Sequence, residues 1–427
     1  MQTRAIETSW NEQQVRELLR EHDFPYQKID LPYGLSTPGT DRSATAEMVF
    51  PEDMTGKTVL DIGCKYGYFC FEALARGATR AVGVDVDPDS VRKGRLLADC
   101  LGANASFGLL DVETDPLEES FDYVLCLNLL HHLKNPVAVL DKLISVTRER
   151  LILEVAALGR KDRRKVKVNF LQAMLINRLP IMFVGRNGTT GRRSTQKYFI
   201  TSSALENLLL YHRHMFARVD TYPSEGKEQR YVSIAHRRRI GRLIVIAGPT
   251  SAGKSTTQDR LLAGQAPEVA GRVELGDPSA WLKISAGWLP DLTEPAIDKL
   301  ALHYDFLRPY LASAKTHDRD EALDVVDTAD RVSFVTVWAS PERLRKQLHD
   351  SEIAPNTKMG VFRGKRRLRS IQRDYESPAK ICEHYRRWFD YTRTKSDDHV
   401  VVDMSDPLKL YTVEEWEQLA AQYDSSS

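Results

Sequence analysis

One pattern occurs twice in this chain: a β-branched run, a glycine-rich turn, then a helical spacing of apolar residues. The first instance is TVLDIGCKYGYFCFEALARG at 58–77, and the second is RLIVIAGPTSAGKSTTQDRLLAG at 242–264. A strand that ends at glycines and turns directly into a helix is how an α/β unit opens. Each instance therefore predicts the first strand, ligand loop and first helix of its own mainly parallel sheet. The two starts lie about 185 residues apart, too far for one small sheet. The 427 residues suffice for two or three domains at roughly 100–200 residues each. A basic run, HRRRIGR at 236–242, precedes the second strand, and the boundary is placed there, giving domains 1–238 and 239–427.

Composition narrows the class. Hydrophobic residues make up 42% and charged residues 28%, enough to bury real cores and to exclude wholesale disorder. Sixty Lys and Arg against 59 Asp and Glu leave a net charge of +1, so no global imbalance points to nucleic acid or a membrane surface. Cys64, Cys70, Cys100, Cys126 and Cys382 form neither a CxxC pair nor a zinc spacing, which favours reduced, buried thiols and a cytoplasmic location. The start, MQTRAIETSW, has no apolar segment, and no run approaches 18 apolar residues, so neither secretion nor membrane spanning is expected.

In the first half, the strand at 58–62 ends at Asp61, Gly63 and Gly67, where glycines let the backbone turn tightly and approach a ligand. A second strand at 81–84 ends in Asp85, about twenty residues after the glycines, where a carboxylate can accept both hydroxyls of a ribose. Further strand ends follow at Asp111 and Val112, at Asn128, and at 151–155. A nicotinamide dehydrogenase would share this plan. Two details oppose it: Asp61 suits a cationic or amine-bearing ligand, and the loop lacks the third glycine of GxGxxG.

These motifs together resemble class I S-adenosylmethionine-dependent methyltransferases. More narrowly, YQKIDLPYGLSTPGTDR followed by LDIGCKYGYFCFEALARGATRAVGVD is similar to the branch named for 5-methoxy and carboxymethoxy formation on tRNA wobble uridine, over roughly residues 20–235. The resemblance implies a seven-stranded Rossmann-like sheet completed by a helix and a terminal antiparallel pair. It implies that Gly63 and Gly67 flank the methionine moiety, with Asp61 near its amino group. Asp85 would hold the ribose, Asp111 and Val112 the adenine, and Asn128 would join the cofactor side. Lys65 stands where the family commonly has a glycine, which bears on the loop shape. The alternative is a degenerate Rossmann domain without cofactor. His131, after the fourth strand, is a candidate base, with packing or capping as its other role. The basic, glycine-punctuated stretch 161–196 is a candidate lid for anionic acceptors, or a solvated insertion.

In the second half, Gly248-Pro-Thr-Ser-Ala-Gly253-Lys254-Ser255 matches GxxxxGK[ST] directly after an apolar strand. Loop amides would cradle phosphates, Lys254 would neutralise the β/γ charge, and Ser255 would ligate Mg²⁺, with Thr256 next to it. The strand KLALHYD ends in Asp305, with Arg308 one turn on; a buried strand and basic helix follow at 331–348, and HVVVD at 399–403 closes the sheet. This order resembles the P-loop nucleoside, nucleotide and small-molecule kinases, over 242–420, with no guanine-recognition motif. The resemblance makes Asp305 the Mg²⁺ ligand or general base, or else a strand-end cap, with Asp277 as rival base. One or two of Arg363, Arg366, Arg367 and Arg369 would clamp the transferring phosphoryl group, and Arg366 is taken as the catalytic candidate. An arginine-rich helix equally suits a polyanion.

The combined expectation is a bifunctional α/β enzyme of two doubly wound domains, using S-adenosylmethionine, ATP and Mg²⁺ on one hydroxylated small-molecule or glycan-type acceptor. The rivals are an RNA-modifying methyltransferase with an accessory nucleotide-binding domain, and a nucleotide-regulated assembly protein without an acceptor.

Overall fold

The computed structural model describes residues 9–158, 168–176, 179–186, 196–211, 213–224, 230–307, 321–353, 371–405 and 407–424. The chain divides into two compact units, 1–212 with 216–237, and 213–215 with 238–427. The basic run at 236–242 is not an open linker. Arg237 ends one strand, Arg239 begins the next, and the intervening Arg238 is buried, donating to the carbonyls of Leu289 and Leu292.

The first unit holds a seven-stranded sheet. Its strands are β1 (Thr58–Ile62), β2 (Arg80–Asp85), β3 (Ala105–Leu109), β4 (Phe121–Leu127), β5 (Thr147–Ala156), β8 (Phe216–Pro223) and β9 (Arg230–Arg237), in the order β3-β2-β1-β4-β5-β9-β8. Strands β1 to β5 pair in parallel, and β9 returns antiparallel against β5 and β8, as expected for the terminal pair. The order reverses at β1, whose neighbours are β2 and β4, so a crevice forms beyond its carboxyl end. A separate hairpin, β6 (Met182–Arg186) with β7 (Gln196–Ile200), occupies part of the stretch expected as a lid. The rest of that stretch lies largely outside the described residues.

Local chemistry sets these elements. The helix Pro88–Leu101 starts with Asp87 accepting from the Asp89 amide and Pro88 in its first turn, and it ends at Gly102 with φ +57°. Three glycines from different elements surround one ring. Ideal Cβ atoms at Gly67, Gly83 and Gly94 would come within 2.3, 2.7 and 2.8 Å of the Phe107 side chain on β3. Gly67, at φ +88°, is thus required by packing and backbone conformation. Gly67→Ala is expected to cost about 2–4 kcal/mol, from left-handed strain plus overpacking. Urea titration of the full chain checks this, and an unchanged midpoint would contradict it.

The second unit has six strands: β10 (Arg239–Gly248), β11 (Leu282–Ser285), β12 (Ala296–Asp305), β13 (Ala329–Trp338), β14 (His399–Asp403) and β15 (Lys409–Tyr411), ordered β11-β12-β10-β13-β14-β15. All neighbours are parallel except β14 and β15. HVVVD therefore does not close the sheet: after β14 the chain returns as a short antiparallel edge, which leaves β14 paired on both sides. The middle of β10, Leu243 to Ala247, is 0–1% exposed, the continuous apolar run of a strand covered on both faces. An aromatic cluster packs near the sheet, with Trp338 and Trp416 ring centroids 5.3 Å apart and Trp338 and Tyr385 4.9 Å apart. Here too the order reverses beside the first strand, between β12 and β13.

All five cysteines are buried free thiols. Among the described residues no helix is long and apolar enough to cross a membrane, and no three His, Cys, Asp or Glu side chains cluster as a metal site.

Candidate functional site

In the first unit, the loop after β1 is held by its own backbone and by β2. The amides of Gly63 and Cys64 donate to the Val84 carbonyl at 2.8 and 3.1 Å, and the Gly67 amide donates to the Cys64 carbonyl. Gly63, Lys65 and Gly67 all have positive φ. Lys65 keeps the loop's left-handed geometry although it carries a side chain. Its amide donates to Asp85 Oδ2 at 3.1 Å and its ammonium reaches Ser90 Oγ at 3.2 Å. Asp85, 6% exposed, also accepts from the Asp87 amide, so this carboxylate staples the glycine loop as well as ending β2.

A cleft opens at the ends of β1, β4 and β5, lined by Asp61, Gly63, Asn128 and Glu154. Its other wall is the N-terminal segment, through Tyr26, Gln27, Thr40 and Arg42. Gln27 ties that wall to the loop, accepting from the Tyr66 amide at 3.1 Å and donating to the Cys64 carbonyl at 3.4 Å. Asp61 is buried and its Oδ2 has no hydrogen-bond partner. Burial, with the nearby Asp85 carboxylate, pushes its pKa up to about 7, against the pull of Arg42. Asn128 sits at φ +60°, donates to the Tyr26 hydroxyl at 3.2 Å and leaves its buried Oδ1 without a partner. These orphaned acceptors, Asp61 Oδ2 and Asn128 Oδ1, suit a ligand that brings N–H or O–H groups.

The structure thus brings Asp61, Gly63 and Asn128 to one cleft. Asp85, Asp111 and Val112 lie along the neighbouring strand ends, where the Leu110 amide donates to the Asp85 carbonyl at 3.0 Å. Asp111 accepts from the Glu113 amide and Val112 is buried. His131 is not placed as a base. It is wholly buried, its ring is 4.2 Å from that of His132, and it lies outside the cleft lining. Arg42 and Glu154 were not singled out from the sequence. The signal for Glu154 is a lone carboxylate inside the apolar run LILEVAA.

In the second unit, the loop 248–255 leaves β10 and enters the helix Lys254–Leu262, whose N-cap Gly253 has φ +97°. A Cβ at Gly248 would lie 3.0 Å from the Val337 carbonyl oxygen. The Lys254 ammonium, 5% exposed, donates to the Pro249 carbonyl at 2.7 Å and meets Asp305 Oδ2 at 3.3 Å. Asp305 pairs in register with Gly248 across β10 and β12. Its Oδ2 also accepts from the Thr250 hydroxyl at 2.8 Å, while its Oδ1 caps the strand end by accepting from the Leu307 amide at 3.0 Å. Ser255 Oγ lies 3.3 Å from His303 Nε2, and Thr256 is exposed on the helix. The Tyr375 hydroxyl donates to the Thr250 carbonyl, a tether to the loop that the sequence did not suggest.

Asp277 does not end a strand. It caps a short turn at Pro278–Ala280, accepting from the Ser279 amide and hydroxyl at 2.9 and 2.8 Å, and those bonds hold its carboxyl below the usual range. A carboxylate so engaged is a poor base. Arg308, Arg363, Arg366, Arg367 and Arg369 lie outside the described residues.

Residues 53–174 match the family model described as a methyltransferase domain. Over 94 residues the chain is 37% identical to a tRNA U34 carboxymethyltransferase of Campylobacter hominis, covering 22% of this chain and 33% of that one. It is 36% identical over 94 residues to a ribosomal protein L11 methyltransferase of Yersinia pseudotuberculosis, covering 22% and 31%. The chain thus spans about a third of the length of these relatives. Among solved structures, the N-terminal domain of EvdMO1 with SAH bound aligns at a TM-score of 0.42 and 16% identity, over 54% of this chain and 98% of that one. The magnesium protoporphyrin IX methyltransferase of Synechocystis with bound SAM aligns at 0.30 and 19%, over 43% and 71%. Residues 53–174 are accordingly similar to a methyltransferase domain.

Proposed function

We propose that the chain is a two-domain enzyme in which 1–238 methylates and 239–427 phosphorylates one hydroxylated small-molecule or glycan-type acceptor. The observation that supports methyl transfer is Asp61: a buried carboxylate with an orphaned oxygen, beside a glycine loop, in a methyltransferase domain. S-adenosylmethionine supplies an electrophilic methyl on a sulfonium, and transfer breaks that S–C bond, forms the acceptor's O–C bond and releases the acceptor's proton. Asp61 would take the donor's amine, and Asp85 the ribose hydroxyls. Asn128 and Tyr26 would orient polar groups in the cleft.

For phosphoryl transfer, the supporting observation is a buried lysine and aspartate meeting at the carboxyl ends of adjacent strands, next to a GxxxxGK[ST] loop. ATP with Mg²⁺ supplies the phosphoryl group. Lys254 would place a fixed positive charge at the phosphates, Ser255 and Asp305 would hold the ion, and Asp305 would orient the acceptor hydroxyl. Arg366 remains the proposed clamp.

The two relatives are named for different acceptors, a tRNA and a ribosomal protein, although both match over 94 residues. That span therefore argues for the donor side, and RNA is the second reading on the strength of the tRNA-acting relative alone. The test is to incubate the full chain with ATP, Mg²⁺ and S-adenosylmethionine and to read mass shifts of sugars, nucleosides and RNA. Methylated RNA with a steep salt dependence of binding and no sugar product would replace the proposed acceptor.

Asp61 also fixes a pH dependence. Its raised pKa, about 7 against an ordinary 3.8, means the folded chain holds a proton that the unfolded chain has lost. Its contribution to stability therefore declines as pH rises from 4 towards 7 and is flat above. Donor affinity should move oppositely, since only the ionised carboxylate pairs with an ammonium. A fall of up to about tenfold is expected between pH 8 and pH 6 by calorimetry. A pH-independent affinity would remove Asp61 from the amine site.

A further inference from the structure

Lys65 is a bulky side chain in a backbone conformation that favours glycine. Its φ is +53°, in the left-handed region, where a Cβ crowds the following carbonyl oxygen. A glycine could hold that shape unaided. A lysine relaxes to negative φ unless its surroundings forbid it. The restraints bracket it on both sides, and two of them come from one residue. Gln27 Nε2 donates to the carbonyl of Cys64, directly before Lys65, at 3.4 Å. Gln27 Oε1 accepts from the amide of Tyr66, directly after it, at 3.1 Å. One carboxamide thus spans the strained residue as a neighbouring strand would, and fixes the peptide groups to either side. The amide of Lys65 bonds to Asp85 and its ammonium to Ser90, but both of these lead only to β2 and the helix behind it.

Gln27 is itself held in place. It is 5% exposed, and its carbonyl accepts from the Thr37 hydroxyl at 2.7 Å. Gly39 lies so close that a Cβ there would come within 2.7 Å of the Gln27 backbone. The carboxamide therefore reaches the loop from a fixed base. That base precedes residue 53 and so lies outside the span that matches the methyltransferase model.

We propose that Gln27 is a positioning residue for the donor loop: it holds Lys65 in the left-handed shape and so preforms the loop, a task that glycine at 65 would make unnecessary. This rests on the reading that loop 63–67 holds the donor. When only a fraction of chains carry a loop in its binding shape, apparent affinity falls by that fraction, so release of Lys65 reads out as weaker donor binding. Gln27 also borders the cleft, which makes direct contact with the donor the competing role.

The test is calorimetric binding of S-adenosylmethionine to four full-length chains: wild type, Gln27→Met, Lys65→Gly and the double variant. Methionine keeps the volume of Gln27 and loses both hydrogen bonds. Gln27→Met is expected to weaken binding about tenfold or more in the wild-type background, and less than about threefold when residue 65 is glycine. Thermal stability should fall in both backgrounds, since the buried bonds are lost in each, so rescue of affinity alone separates positioning from packing. An equal loss of affinity in both backgrounds would overturn the proposal in favour of direct contact, and an unchanged affinity in Gln27→Met would overturn it outright. If Gln27→Met does not fold, hydrogen exchange in the ligand-free wild type decides. The Tyr66 amide should then exchange about 100-fold or more slower than in an unfolded chain, and exchange at the unfolded rate would overturn the proposal. Failure of the wild type to bind the donor is a different result, and defeats the donor reading itself.

Discussion

Replacing Lys254 with alanine is expected to lower acceptor-dependent ADP release by about 100-fold or more, the scale on which a fixed charge at a transferring phosphoryl group acts. Lys254 is buried at the root of its helix, and its ammonium is already aimed at the loop carbonyl of Pro249 and at Asp305. No reorganisation from solvent is needed to bring that charge to the loop. Asp305→Asn separates two roles that the structure joins in one side chain. Its Oδ1 caps the strand end through the Leu307 amide, and its Oδ2 faces Lys254 and Thr250. Asparagine keeps the cap and loses the charge. Nucleotide affinity, read with a fluorescent analogue, should therefore stay within a few-fold while transfer disappears. Near-normal ADP release from Asp305→Asn would reduce Asp305 to its cap, and near-normal release from a folded Lys254→Ala would end the kinase reading.

The second large effect is at Asp85. Removal of a carboxylate that accepts two ribose hydroxyls should weaken donor binding by roughly 2–3 kcal/mol, or about 30- to 160-fold. The same side chain accepts from the amides of Lys65 and Asp87, so Asp85→Ala also frees the loop that carries Gly63. Asp85→Asn retains an acceptor for the loop and separates the contributions: the ribose loss should persist while thermal stability recovers. Unchanged calorimetric affinity in both variants would take the ribose away from Asp85.

Strand ends were legible because glycine and aspartate interrupt β-branched runs there. Asp61, Asp85, Gly248 and Asp305 all announce themselves in this way, and the strands they end stand at the switch points of the two sheets. The far wall of the first cleft was legible only as a motif. Nothing local in YQKIDLPYGLSTPGTDR says that Gln27 will reach the loop at Cys64 and Tyr66, since that depends on how the segment folds over the sheet. Arg42 and Glu154 are 112 residues apart, and neither sits at a position that spacing marks as special. His131 misled for the opposite reason. A strand end followed by histidines resembles a reactive edge, yet the chain places them in a short turn that buries His131. Asp277, offered as the rival base, instead caps a turn with its carboxylate already engaged by Ser279.

The ring of Phe107, seated among Gly67, Gly83 and Gly94, makes four distant positions behave as a single heritable character. A methyl at any of the three glycines is tolerable only if the residue at 107 shrinks, and a smaller residue at 107 opens a void that any of the three can refill. Substitutions that each harm alone should therefore compensate in pairs. Gly94→Ala, free of the left-handed strain that burdens Gly67 and crowded by the Phe107 ring, should recover most of its stability when combined with Phe107→Leu, giving a coupling on the order of 1–3 kcal/mol. One of the positions so linked belongs to the loop beside Asp61, so drift at the third strand is constrained by the geometry of that loop.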